Sequence, residues 1–205
     1  EYLQGETLAQ WLHRQEKPLN LDEILPILQQ TALALNAMHR LEMLHQDIRP
    51  KNIMVINAEN AMKIKLIDYG STAVRGLVEI NPKNANRALG TLAFMAPEYF
   101  IDHSPSVHSD QFSLAVMAYY LLTKQLPYGT DLARCNSLKQ MKKVQYHSIR
   151  KYRPDLPIGL DKILGQALSI EPIHRFEALS ELIHNLMHPS KELLNSKPPA
   201  IIERD

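Results

Sequence analysis

Apolar positions recur at helical spacing in several parts of the chain. The most regular stretch covers about 22–40, where one face carries Ile24, Ile27, Leu28, Thr31, Leu35 and Met38. Residues three and four apart share a face of an α-helix, so this stretch predicts a long amphipathic helix. Asn20 or Asp22 can cap its start, and Pro26 is expected near the first turn, where a missing N–H costs least.

Other apolar patterns predict further helices. Leu8, Trp11 and Leu12 indicate a helix after an extended segment that ends at Gly5. Residues 111–124 are nearly all apolar, so this helix is expected to be buried on most sides. The remaining predicted helices cover about 134–147, 158–168 and 176–187.

Two short runs predict a β-hairpin. Residues 53–56 are apolar and residues 63–67 partly alternate, with a turn cluster at 57–60 between them. Residues 71–94 have no strong period, and their glycines, asparagines and proline predict a long irregular loop. The fold expected from these patterns is mainly α, with one small hairpin.

The composition is that of an ordinary globular domain, with 45% hydrophobic and 22% charged residues. A formal net charge of +1 argues against a nucleic-acid or acidic-membrane binder. Cys135 is the only cysteine, which excludes an internal disulfide and favours a reducing compartment. No apolar run approaches the about 20 residues that span a bilayer, and no signal peptide is recognisable. A cytoplasmic location is expected, with any membrane tether outside these residues, and the start at Glu1 suggests a piece of a longer protein.

The stretch His45-Gln46-Asp47-Ile48-Arg49-Pro50-Lys51-Asn52 combines an acid, a cation and an amide. The Asp47 carboxylate can accept a proton from an attacking hydroxyl, Arg49 can neutralise a transferring phosphoryl group, and Asn52 can offer an oxygen to Mg²⁺. Phosphoryl transfer depends mostly on positioning and electrostatics, so these groups suit it. The alternative is a polar turn between a helix and a strand.

A second acid lies at the end of the predicted hairpin. Asp68 is followed by Tyr69 and Gly70, and a hairpin between Asn52 and Asp68 would bring both side chains to one end. Two such oxygen ligands can share one Mg²⁺ ion. Phosphate and water then complete its coordination shell. The alternative for Asp68 is a carboxylate that caps a turn.

Three more motifs follow along the chain: Ala96-Pro97-Glu98 after Gly90-Thr91, Ser109-Asp110 at the start of the apolar helix, and Glu171-Pro172-Ile173-His174-Arg175. The first two also have a purely structural interpretation. Glu98 could belong to a turn that leads into a helix, and Asp110 could be an ordinary acid in the first turn of a helix.

Five motifs in this order resemble the signature of eukaryotic-type protein kinases: H-R-D-L-K-P-x-N, D-F-G, A-P-E, the aspartate of the long central helix, and D-P-x-x-R. The resemblance implies the large, C-terminal lobe of a protein kinase, mainly α, with a small β-hairpin at the catalytic cleft. It implies a hinge at 1–7, the lobe at 8–187 and a tail or linker at 188–205. The implied activity transfers the γ-phosphoryl group of ATP to a protein serine or threonine, with ATP and Mg²⁺ or Mn²⁺ as cofactors.

The resemblance also implies a role for each matching residue. The catalytic residues would be Asp47, Arg49 and Thr91. The metal would be held by Asn52 and Asp68. The hinge and adenine pocket would use Glu1, Leu3, Thr7, Leu8 and Met54. Structural roles, including an ion pair between Glu98 and Arg175, would fall to His45, Tyr69, Gly70, Glu98, Asp110 and Arg175.

Serine/threonine specificity is favoured over tyrosine specificity. Arg49 followed by Pro50 resembles the serine/threonine pattern, and Thr91 would hydrogen-bond both Asp47 and that cation. The tract around 70–72 and 90–100 also resembles bacterial kinase domains fused to PP2C-type phosphatases. A phosphatase domain in the same polypeptide is therefore a possible partner.

Three departures from the family pattern change the expectations. Gln46 replaces the arginine that reads a phosphate on the activation segment, so activity is expected not to depend on phosphorylation there. Arg49 replaces a lysine, which keeps the charge but widens the group. No Gly-rich loop, Val-Ala-x-Lys lysine or partner glutamate occurs in the 205 residues. The small lobe is therefore expected to lie outside the chain, which alone is expected to be inactive.

Two other classes of protein stay open. A pseudokinase or docking module would keep the fold without chemistry, although the polar positions of the large lobe are filled. A small-molecule phosphotransferase would share the loop and the later aspartate, but Ala96-Pro97-Glu98 with Arg175 argues against it. The partners expected for the kinase are a protein substrate, ATP and the missing small lobe, with no nucleic acid.

Overall fold

The structure is a computed structural model that describes residues 3–58, 61–68, 73–74, 92–101 and 104–188. Helices make up most of its regular structure: α1 Leu8–His13, α2 Leu21–Arg40, α3 Val107–Thr123, α4 Leu138–Met141, α5 Ile158–Ala167 and α6 Leu179–Met187. Five strands are short: β1 Glu6–Thr7, β2 Met43–Leu44, β3 Ile53–Ala58, β4 Ala61–Leu66 and β5 Ala73–Val74. Within these described residues, none of the helices is both long and apolar enough to cross a membrane.

Helix α2 forms as the apolar pattern predicts, and all six residues of its predicted inner face are buried. The Asn20 backbone N–H donates to Glu23 Oε2 at 2.7 Å, which satisfies one donor at the helix start. Pro26 is the sixth helical residue, at the start of the second turn and so close to its expected place. The helix tolerates the lost N–H there because its apolar face stays packed against the core.

Helix α3 is the centre of the core. Every residue from Ser109 to Tyr119 is buried, as expected for an apolar helix that is covered on most sides. It begins at Val107, two residues before the predicted start at Ser109, because the Ser106 hydroxyl accepts the His108 N–H at 3.2 Å and caps the start. Within the first turn of α3, Ser109 and Asp110 are buried, whereas Val107 is exposed.

The predicted hairpin is confirmed. Strands β3 and β4 are antiparallel, with Ile53 opposite Leu66; β3 extends into the expected turn as far as Ala58, and β4 begins at Ala61, two residues before its predicted start. Strand β1 pairs with the other edge of β3. A strand of two residues is too short to show a pattern in the sequence, so this pairing was not predicted. Gly5 precedes β1, and a Cβ there would collide with the Val55 carbonyl oxygen, so the close approach of these strands requires glycine.

Two helical predictions were too long. Of 134–147, only Leu138–Met141 is α-helical, because Tyr146 turns inward and donates its hydroxyl to Asp161 Oδ1 at 3.0 Å. Of 176–187, the helix begins at Leu179, because Arg175 and Phe176 are buried in contacts with other parts of the fold. In the predicted irregular stretch 71–94, the described residues include β5, which pairs with β2. The predicted tail from 189 onward lies outside the described residues.

Candidate active site

The loop that follows β2 is held by a residue of the central helix. The Asp110 carboxylate accepts the backbone N–H of His45 at 3.0 Å and that of Gln46 at 2.9 Å. Gln46 has a φ of 65°, a left-handed conformation that is uncommon for a non-glycine residue. The two hydrogen bonds therefore stabilise a backbone shape that the loop sequence alone does not favour.

His39 extends this anchor to helix α2. Its Nε2 lies 2.9 Å from Asp110 Oδ2, and since a carboxylate only accepts, Nε2 must carry the hydrogen. Sequence reasoning did not single out His39, and its position beside the buried face of α2 is the only signal it offers. The contact ties the end of α2, the start of α3 and the loop into one unit.

Asp47 and Asn52 form the centre of the loop. Asn52 Nδ2 donates to both the backbone carbonyl and the Oδ2 atom of Asp47, each at 2.8 Å. The other carboxylate oxygen of Asp47 lies 3.3 Å from Arg49 Nε. Asp47 is thus fixed between an amide and a guanidinium, and the Arg49 side chain is only 20% exposed.

Asp68 follows strand β4 and reaches the same end of the hairpin. The Ile67 N–H donates to the Asn52 carbonyl at 3.0 Å, so Asp68 comes one residue beyond a direct contact with Asn52. Asp68 is exposed and has a φ of 65°. Both hydrogens of the Asn52 amide are used on Asp47, which leaves its Oδ1 as the side-chain oxygen able to coordinate a cation.

This donor set suits a hard divalent cation. An amide oxygen and a carboxylate are ligands that Mg²⁺ and Mn²⁺ accept, and Mg²⁺ usually takes few protein ligands and completes its shell with phosphate and water. Across the described residues, no group of three or more His, Cys, Asp or Glu side chains could hold a metal.

Glu98 and Arg175 meet in a buried fork. Arg175 Nη1 donates to Glu98 Oε1 at 2.9 Å, and Nη2 donates to Oε2 at 2.8 Å. The remaining guanidinium hydrogens go to the backbone carbonyls of Ser169, His108 and Ile170, at 2.9, 2.8 and 3.1 Å. All five donors of the arginine are satisfied, which is what a buried guanidinium requires.

Two further residues complete the fork. Ser109 donates its hydroxyl to Glu98 Oε1 at 2.7 Å, a contact that sequence reasoning missed because serine is common at helix starts. The Arg175 guanidinium carbon also lies 4.8 Å from the centre of the Phe112 ring. Burial raises the pKa of Glu98, but the hydrogen bonds and charge of Arg175, with Ser109, outweigh it and hold the pKa below its ordinary value.

The residues expected around adenine lie near the start of α1. Leu8 is fully buried, Leu3 and Met54 are half-buried, and Thr7 pairs with Met54 across β1 and β3. The Thr7 hydroxyl caps α1 by accepting the Gln10 N–H at 3.2 Å. Glu1, Tyr69, Gly70 and Thr91 lie outside the described residues.

Fold and site together define a protein kinase domain. The model of that family, described as protein kinase domain, matches residues 1–189, and the chain belongs to this family. It is 27% identical over 182 residues to the serine/threonine-protein kinase PrkC of Bacillus subtilis. It is 31% identical over 180 residues to the serine/threonine-protein kinase pkn3 of Myxococcus xanthus. The PknI kinase domain of Mycobacterium tuberculosis has the same fold, with a TM-score of 0.69 and 24% identity.

These comparisons cover most of this chain but less of its relatives. The match includes 89% of the chain and 27% of PrkC, and 85% of the chain and 32% of pkn3. For the PknI kinase domain, it covers 93% of this chain and 64% of that chain. The chain therefore spans about a quarter to a third of the curated relatives.

Proposed function

We propose that this chain is the catalytic lobe of a protein serine/threonine kinase that transfers the γ-phosphoryl group of ATP to a protein hydroxyl. The observation that carries the proposal is the fixed Asp47 carboxylate, whose two oxygens contact Asn52 and Arg49 at 2.8 and 3.3 Å. A carboxylate held in this way is ready to orient a hydroxyl and accept its proton.

Each group of the cluster has a place in this chemistry. Asp47 is the proposed base, and Arg49 next to it can stabilise negative charge on the γ-phosphoryl group. Asn52 and Asp68 would hold Mg²⁺ or Mn²⁺, which bridges phosphate oxygens and neutralises their charge when bound. Asp110 acts as a positioning residue through the backbone of His45 and Gln46.

The proposed lobe assignment rests on what the 205 residues contain. Residues 1–7 would be the hinge, 8–187 the large lobe and 188–205 a tail or linker. The Gly-rich loop and lysine that cover ATP phosphates in kinases have no counterpart in this sequence. The 205-residue chain by itself is accordingly expected to lack ATP turnover. A fused PP2C-type phosphatase, a cytoplasmic location and a membrane tether stay predictions.

The decisive experiment is ATP-dependent phosphorylation of a generic serine/threonine substrate by the full-length protein. Asp47→Asn is expected to reduce kcat by at least about 100-fold, the scale of a lost general base, with an unchanged circular dichroism spectrum. Asp131→Asn is the control, since Asp131 is an exposed acid that pairs with Arg134 at the surface and is not part of the proposed catalytic cluster. Unchanged kcat in Asp47→Asn would overturn the proposal. ATP binding without any phosphotransfer by the wild type would instead favour a pseudokinase or docking module.

A further inference from the structure

A groove of about 530 Å³ lies beside the proposed catalytic loop. It is bounded by helix α1, the turn Pro50–Asn52 and the C-terminal end of α3, and Phe94 forms part of its wall. Arg49 lines the groove and also contacts Asp47, so the groove leads directly to the proposed base. A peptide whose hydroxyl is placed at Asp47 would pass along it.

The charge of the groove has one sign. Its described lining residues include Arg49, Lys51, Lys124 and the titratable His13, and none of them is an aspartate or glutamate. The whole chain has a formal charge of only +1, so this concentration of cations is local. Such a surface attracts acidic groups and repels lysine and arginine.

Two of these cations are carried by ordered backbone. Lys124 ends α3 with a φ of 54°, its N–H donates to the Tyr120 carbonyl at 2.7 Å, and its ammonium donates to the Gln15 carbonyl. That described bond uses one of the three donors of the ammonium. Lys51 is exposed and lies in the turn Pro50–Asn52, directly before Asn52. The backbone of both lysines is therefore placed before a ligand arrives, and a contact also positions the Lys124 ammonium.

The wall between them is aromatic. The rings of Phe94 and Tyr120 meet edge to face with their centres 5.7 Å apart, and both residues are half-buried. Such a wall can contact the apolar parts of an extended peptide, while the cations at the rim select its charge. A nucleic acid would need cations along a longer track than this short groove provides.

We propose that this groove selects acidic peptide segments, so that the phosphoacceptor serine or threonine is flanked by aspartate or glutamate. This inference rests on the proposed kinase function and adds the substrate class. It assigns Lys51 and Lys124 as specificity-determining residues.

The test compares three peptides that share one serine and differ only in flanking glutamate, glutamine or lysine. With the full-length protein, kcat/KM should decrease in that order, by about tenfold between the glutamate and lysine peptides. The double variant Lys51→Glu, Lys124→Glu should reverse the order, which a general folding defect cannot do. Lys143→Glu, at an exposed lysine outside the groove, should leave the order unchanged.

A binding measurement separates this inference from the proposed function. The fluorescence anisotropy of a labelled glutamate peptide with the 205-residue chain should show binding that weakens with salt and is lost in the double variant. If the 205-residue chain binds the glutamate peptide in this charge-dependent way but the full-length protein phosphorylates none of the three peptides, the kinase proposal is overturned and the acidic preference stands. Equal use of the three peptides, or displacement of the peptide by an equal concentration of a single-stranded oligonucleotide, would overturn the acidic-peptide inference.

Discussion

The Asp110 carboxylate accepts the backbone N–H of Gln46 at 2.9 Å, across 64 positions of the chain. Gln46 is only 7% exposed and has a left-handed backbone, so this hydrogen bond is made away from water at a conformation that needs support. Buried bonds to an ionised acceptor are among the stronger ones in proteins. The shape of the proposed catalytic loop is thus coupled to the central helix.

Replacing Asp110 by asparagine should weaken the coupling between the proposed catalytic loop and the central helix α3. One carboxylate oxygen becomes an NH₂ group that faces backbone N–H or histidine donors, so the free energy of unfolding should decrease by about 1–3 kcal/mol. In the full-length protein kcat should decrease while the KM for ATP changes little, because Asp110 acts on the loop rather than on the nucleotide. Urea unfolding and steady-state kinetics measure both effects. A loss of stability with full kcat would contradict the positioning role.

Gln46 predicts activity that is independent of phosphorylation in the proposed activation segment. The neutral side-chain amide of Gln46 cannot form an ion pair with a phosphate, and the Gln46 backbone N–H already donates to Asp110. Ser71→Ala and Thr72→Ala should keep wild-type kcat, and treatment of the protein with a phosphatase should not change it. Thr91→Ala should lower kcat because of its proposed contact with Asp47. A loss in Ser71→Ala or Thr72→Ala that aspartate restores would refute this prediction.

The Glu98–Arg175 fork should dominate the stability of its region. Glu98→Gln leaves the guanidinium buried without its carboxylate, so the free energy of unfolding should decrease by about 3–5 kcal/mol. Glu171→Gln, which removes the partner of Lys142 at the surface, is the matched control and should have a much smaller effect. Chemical denaturation of the three proteins at neutral pH tests this, and equal effects of the two variants would contradict it.

The same fork should make stability depend on pH. Because the pKa of Glu98 in the folded protein lies below the ordinary 4.5, its contribution is fully present above 4.5 and is lost as the pH falls through the folded value. The difference in unfolding free energy between wild type and Glu98→Gln should therefore be constant near neutral pH and shrink below 4.5. A difference that grows on acidification would have the wrong sign.

Metal dependence should involve Asp68. Chelation of divalent cations should abolish phosphotransfer by the full-length protein, and Asp68→Asn should raise the Mg²⁺ concentration needed for half-maximal rate. Asparagine suits this test because it tolerates the left-handed backbone at φ 65° and keeps the shape of the side chain. Since even outer-shell changes at metal sites commonly cost about 10–100-fold, a shift of at least about tenfold is expected. An unchanged Mg²⁺ dependence would exclude Asp68 as a ligand.

The sequence by itself determined the parts whose information is local. The helical period of residues 22–40 predicted the buried face of α2, and the apolar run 111–124 predicted the buried centre of α3. The short runs 53–56 and 63–67 predicted the hairpin. These features follow from side chains that are neighbours on one helix or strand, where spacing alone decides which face is buried. The chemistry of residues 45–52 was equally readable, because its acid, cation and amide are close in the chain.

Only the tertiary structure decided the relationships between distant residues. His39 contacts Asp110 across 71 positions of the chain, and Ser109 contacts Glu98 across 11. Arg175 donates to three backbone carbonyls in addition to Glu98. The joining of β1 to β3 and the gathering of Lys51 and Lys124 around one groove were equally invisible in the linear pattern. Their positions depend on how helices and strands pack, and packing is set by the whole core rather than by any single stretch.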